Sequence, residues 1–110
     1  MSERKVYVLS RGGHDYRDAE RFGKLVFLDI PSYAKWDVAR LHDELVEGLR
    51  DAQPDDLFII SNLASHCCVA TAILIEWFGR VNFLIIRKDK YEEHKLVMNP
   101  DVGLDDGTDC

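Results

Sequence analysis

Four short apolar runs punctuate the chain, separated by polar stretches of helical or turn-forming pattern. They are KVYVLS (Lys5 to Ser10), KLVFLDI (Lys24 to Ile30), DLFIIS (Asp56 to Ser61) and VNFLIIR (Val81 to Arg87). Each is rich in β-branched and aromatic residues and apolar on successive positions, as in strands covered on both faces. Gly12-Gly13 closes the first and Pro31 the second. Between them the spacing predicts a helical turn from Tyr16 to Phe22, with Asp15 as N-cap and Gly23 just past its end.

From Trp36 to Ala52 the positions Val38, Leu41, Leu45 and Leu49 recur at spacings of three and four, one apolar stripe of an amphipathic helix. Gln53-Pro54 ends it. After the third strand, NLASH turns the chain, and Ser65 is the expected N-cap of a second helix, HCCVATAILIEWF, ending at Gly79. That helix is apolar nearly all round, which predicts deep burial. Trp36, Trp77 and Phe78 are expected to pack helices onto the sheet, and Cys68 to pack in the core. KDK turns the chain after the fourth strand, and His94 to Met98 forms a short edge strand before Asn99-Pro100.

Continuous apolar strands alternating with helices imply α/β architecture. The expectation is a single small Rossmann-like three-layer domain over residues 1–99, with a mainly parallel sheet of four or five strands and helices on both faces. The second strand should lie at one edge, the first and third at the centre. Residues 100–110 carry Asp101, Asp105, Asp106 and Asp109 with few apolar groups, and are expected to be a disordered acidic tail.

A chain of 110 residues, 46% hydrophobic, buries a core without staples. Its net charge of −6 argues against general nucleic-acid binding, which needs a basic face. Adjacent Cys67 and Cys68 with a distant Cys110 make neither a disulfide framework nor a zinc pattern, which fits a reducing cytoplasm. MSERK is polar and lacks an apolar h-region, so no signal peptide is expected, and the run Val69 to Phe78 is too short for a membrane span.

In an open parallel sheet, ligands bind beyond the carboxyl ends of the strands, where the strand order reverses. SRGGHD and SNLASH should both emerge there. Arg11 can fork two hydrogen bonds to a carboxylate or phosphate, and Gly12 and Gly13 let backbone approach a ligand. Ser65, His66 and Cys67 open a helix whose free N–H groups favour an anion. Ser10, Ser61 and Asn62 add neutral hydrogen-bonding groups; His14 and Asp15 add titratable ones. These ten residues other than Cys67 form the expected binding site. Tyr16, Tyr33 and Tyr91, read as exposed aromatics, could stack on a base. No G-x-G-x-x-G or G-x-x-x-x-G-K-[ST] is present, so no cofactor is implied, and a metal site of His14, Asp15 and His66 has no supporting pattern.

The first reading is a domain binding an anionic small molecule, a nucleotide or a nucleotide-derived signal. The second is an interaction module that blocks a host protein through an acidic surface. The third is a small hydrolase or transferase using His14 with Asp15 or Cys67, since a thiol in a first helical turn can be activated. Open sheet edges, and a second helix with more apolar surface than one small sheet face covers, lead to an expected homodimer.

The segments KVYVLSRGGHDYRDAERFGKLVFL and ISNLASHCCVATAILIEWFGRVNFLI resemble small proteins of unknown function encoded in bacteriophage genomes, over residues 5 to about 98. The resemblance implies cytoplasmic expression in an infected bacterium, and a host protein or signalling nucleotide as partner. It transfers no catalytic residue.

Overall fold

The structure is a computed structural model that describes residues 4–11 and 15–98. Its strands are β1 (Lys5–Val8), β2 (Lys24–Phe27), β3 (Leu57–Ile59), β4 (Arg80–Arg87) and β5 (Lys90–Val97). The helices are α1 (Val38–Gly48) and α2 (Ala64–Phe78), with 3-10 helices η1 (Arg17–Arg21) and η2 (Ser32–Trp36). The five strands lie in the order β2-β1-β3-β4-β5. The first four are parallel, and β5 returns antiparallel to β4. The domain is α/β, with β2 at one edge and β1 and β3 inside, as its apolar runs imply.

Alternating strand residues point to opposite faces. Tyr7, Leu9, Phe58 and Val81 meet Leu41, Leu45, Leu49, Ala70, Ile73 and Leu74 of the two α-helices in one core. Val6, Val8, Leu57, Ile59, Leu84 and Tyr91 face the other way, where Tyr16, Ala19 and Phe22 join them. Both α-helices therefore share one face, and the opposite face is covered by η1, a 3-10 turn. The Tyr16–Phe22 stretch is too short and too charged to present an α-helical stripe.

Local chemistry sets the element ends. Asp37 caps α1 by accepting from the Arg40 N–H at 3.2 Å. Gly79, at φ 72°, ends α2 in the left-handed conformation that glycine adopts freely. Ser65 is not the N-cap of α2: the helix starts at Ala64, with Leu63 at the cap position and no side-chain cap bond. The hydroxyl of Ser61 takes the Leu63 N–H instead, at 3.2 Å.

Several packing expectations are corrected. Only one side of α2 is buried, through His66, Cys67, Ala70, Ile73 and Leu74, because that sheet face is shared with α1. Cys68 is exposed. Trp36 is 82% exposed, Trp77 and Val38 are also exposed, and α1 buries only the later part of its stripe. Tyr91 is buried rather than exposed. The last strand is a full eight residues, not a short one, because Lys88 and Asp89 form a two-residue turn that sets β5 in register with all of β4. The acidic segment 100–110 lies outside the described residues.

Candidate functional site

Connections from β1 run to β2 on one side, while β3 leads to β4 on the other, so the order reverses between β1 and β3. These strands are direct neighbours, with Val6 beside Leu57 and Tyr7 beside Phe58. Beyond their carboxyl ends lies a cavity of about 380 Å³. Leu9, Ser10, Ile60, Ser61 and Asn62 belong to the two emerging segments, and Ile85, Ile86, Tyr16 and Tyr91 complete its walls. The lining is largely apolar and aromatic, with hydroxyls and one amide supplied by the chain leaving β1 and β3.

The hairpin builds one wall. β4 outruns β3 by several residues, so Ile85 and Ile86 project past the end of β3. Ile86 pairs with Tyr91 across the hairpin. Burial is the main cause that holds the Tyr91 hydroxyl above its ordinary pKa, with the charges of Tyr16, Asp15 and Asp18 adding to it. Tyr91 is thus a neutral phenol at neutral pH. Tyr16 stands edge-on to Phe27 at 5.8 Å.

Ser10, Ser61 and Asn62 come together at this cavity as the sequence implies. Arg11 is exposed beside it, 2.8 Å from Asp29 and stacked 4.0 Å over the Phe27 ring. Asp29 holds a left-handed backbone, φ 54°, which aspartate tolerates. Asp15 accepts from the Arg17 backbone and guanidinium, and those hydrogen bonds hold its carboxyl down at about 2. Gly12, Gly13 and His14 lie outside the described residues.

Ser65 and His66 do not line the cavity. His66 is fully buried, with Nε2 3.1 Å from the Pro31 carbonyl oxygen. With Nε2–H as donor, Nδ1 is a buried acceptor with no hydrogen-bond partner among the described residues. The imidazole ties α2 to the chain leaving β2. Cys67 is buried with Sγ 3.4 Å from the Ser61 nitrogen. It packs behind the Ser61 corner, as a small hydrophobe does. Among the described residues no group of three or more His, Cys, Asp or Glu could hold a metal ion.

The walls Ile85, Ile86 and Tyr91 had a faint signal in the sequence. The run VNFLIIR is followed at once by the turn-forming KDK and an aromatic. A hairpin that rises above the sheet follows from that, but only once the register is known.

The model of the Phage Pam3 gp32-like protein family matches residues 4–100. The chain belongs to this family. The match spans the whole described domain, and the bacteriophage resemblance of the two strand-rich segments is upheld by it. Family membership brings no established activity with it. No curated protein matches the chain, and no solved structure does. No helix among the described residues is long and apolar enough to cross a membrane.

Proposed function

We propose that this phage-family domain binds a small molecule with a flat apolar part and an anionic part, of which a nucleotide or nucleotide-derived signal is the best-fitting class. The observation that carries the reading is the cavity of about 380 Å³ at the strand-order reversal. Ligand pockets of about 300–1,000 Å³ typically combine apolar walls with a few placed polar groups. Here Ile59, Ile86, Tyr16 and Tyr91 suit a planar ring, and the Asn62 amide with the Ser10 and Ser61 hydroxyls suits its edge. Among the described residues no cationic side chain lines the cavity, so the anionic part belongs outside it, toward Arg11. The Arg11–Asp29 pair is more than half exposed on both sides. Such pairs contribute about 0–1 kcal/mol, so Arg11 can exchange Asp29 for an incoming anion at small cost.

The test is calorimetry and amide chemical-shift mapping with nucleosides, nucleotides and inorganic phosphate. Nucleotides should bind, their nucleosides more weakly, and phosphate alone least. Ile86→Glu should abolish binding, and Arg11→Ala should reduce nucleotide binding to the nucleoside level. Shifts confined to Arg11 with none at Ser61, Asn62 or Ile86, or no binding at millimolar ligand, would refute the reading.

An interaction module is favoured by a different observation. Trp36, Tyr33 and Val38 are 82%, 59% and 57% exposed in consecutive turns, and Arg40 lies 5.4 Å over the Tyr33 ring. Trp, Tyr and Arg are the residue types that dominate binding hot spots. On this reading a host protein docks on the η2–α1 corner, and Trp36→Ala abolishes its capture while leaving nucleotide binding intact.

A further inference from the structure

The edge strand β5 carries a pattern that fits its own copy. Lys88 and Asp89 both have positive φ, 52° and 68°, as in a type I′ two-residue hairpin turn. The residues flanking such a turn, Arg87 and Lys90, form a hydrogen-bonded pair. Along β5 the backbone groups of Lys90, Glu92, His94 and Leu96 then point inward to β4. Those of Tyr91, Glu93, Lys95 and Val97 point outward. Two observations agree with this phase. The Tyr91 N–H donates outward to Asp18 at 2.7 Å, and the Tyr91 carbonyl accepts from Arg21 at 2.6 Å. The Met98 N–H turns inward to the Gly79 carbonyl at 2.9 Å.

The outward groups of Tyr91 are thus consumed by η1. Those of Glu93, Lys95 and Val97 have no hydrogen-bond partner among the described residues. Unpaired edge groups invite another strand unless they are blocked.

We propose that two copies of this chain join β5 to β5 antiparallel about a two-fold axis at His94, fusing two five-stranded sheets into one. A two-fold axis normal to a continuous sheet sets one residue opposite its own symmetry mate, so only a few registers exist. Centring on Glu93 opposes two carboxylates directly across the axis. Centring on Lys95 opposes two ammonium groups. Centring on His94 sets Glu93 opposite Lys95 of the second copy, twice, on one face. It also forms hydrogen-bonded pairs from the unpartnered groups of those two residues. Opposite charges directly across strands stabilise and like charges destabilise. On that face Glu93 already meets Arg4, 2.9 Å away, so Lys95 of the second copy completes a plus–minus–plus row. Leu96 and Val97, 42% and 57% exposed, extend along the same edge.

Sedimentation equilibrium of the full chain, with Cys68→Ser and Cys110→Ser as background, tests the proposal. The parent should dimerise reversibly. Lys95→Glu, which leaves the Arg4–Glu93 pair intact, should weaken the dimer about tenfold or more by turning both cross-strand pairs into like charges. The double variant Glu93→Lys with Lys95→Glu should recover much of it, short of the parent because Glu93→Lys also sets two cations together at Arg4. In the same background His94→Cys should form an intermolecular disulfide on mild oxidation, and Lys95→Cys should not. Circular dichroism confirms that each variant is folded. A monomer at all concentrations up to millimolar overturns the proposal. So does a dimer that ignores Lys95→Glu, or one that cross-links through residue 95 in preference to 94. Nucleotide binding is read separately, so either result stands apart from the reading of the cavity.

Discussion

Removing the carboxylate of Asp56 should cost this domain a large share of its stability. Asp56 is 7% exposed and sits just before β3. One oxygen accepts the Lys5 N–H at 2.9 Å, the other accepts the Gln53 N–H at 2.8 Å, and the Lys5 ammonium lies 3.2 Å away. The side chain thus fastens the start of β1 to the start of β3 and closes the turn after α1. Asp56→Ala strands two partly buried backbone donors, at about 1–3 kcal/mol each. Water reaches Lys5, whose side chain is 25% exposed, so the ion pair adds little. A loss of about 3 kcal/mol follows, against a total of about 5–15 kcal/mol for a typical domain. Asp56→Asn keeps one acceptor and should lose about half as much. Urea unfolding followed by circular dichroism measures both, as a lower midpoint with an unchanged slope. If Asp56→Ala falls within about 0.5 kcal/mol of the parent, the assignment of Asp56 as the tie between these strands is wrong.

Gly23→Ala should destabilise by about 1–3 kcal/mol, because an added Cβ would lie 2.5 Å from the Arg4 carbonyl oxygen, which already accepts the Lys24 N–H at 2.9 Å. Thermal unfolding checks this. Replacing Lys88-Asp89 by Asn-Gly should stabilise the β4–β5 hairpin by about 0.5–1 kcal/mol, because glycine and asparagine accept positive φ more readily; a lower melting temperature would contradict the turn assignment. Asp18 is held below its ordinary pKa of 3.8, first by the Tyr91 N–H and further by Arg21. A carboxylate with a lowered folded-state value contributes stability that is complete above pH 3.8 and disappears as pH falls through the lower value. Acid unfolding of Asp18→Asn should therefore start from a less stable protein at neutral pH and fall less steeply below pH 4.

The sheet was legible because its strands are apolar on successive positions, a pattern that polar turns and amphipathic helices do not imitate. KVYV, LFI and VNFLI had few alternatives once two helices separated them. The placement of the helices was not legible. α2 is apolar on all sides in sequence, yet the crossovers put it beside α1 on one face, leaving Cys68 and Trp77 outside. Composition cannot tell a helix buried all round from one that is half uncovered. At the site, Ser10, Ser61 and Asn62 were readable as residues just past strand ends. Tyr91 and Ile86 were not, because they enter the cavity only through the antiparallel register of β4 and β5. His66 was misread as a rim residue because its position in the first turn of α2 says nothing of the direction in which that turn faces.

The asymmetry of cover has a consequence for how the molecule breathes. Two α-helices clamp one side of the sheet, while the other rests under five residues of η1, held to the hairpin through Asp18 and Arg21. Swinging that segment outward breaks these two latch contacts and uncovers Tyr16, Ala19 and Phe22, but leaves every strand pairing in place. Amides of η1 and Tyr91 should therefore exchange with deuterium far sooner than those of β1 and β3, by an excursion much cheaper than global unfolding. On the proposed reading, a guest that reaches Tyr16 and Tyr91 passes a door rather than a melted wall, and its binding should slow the latch amides more than any others.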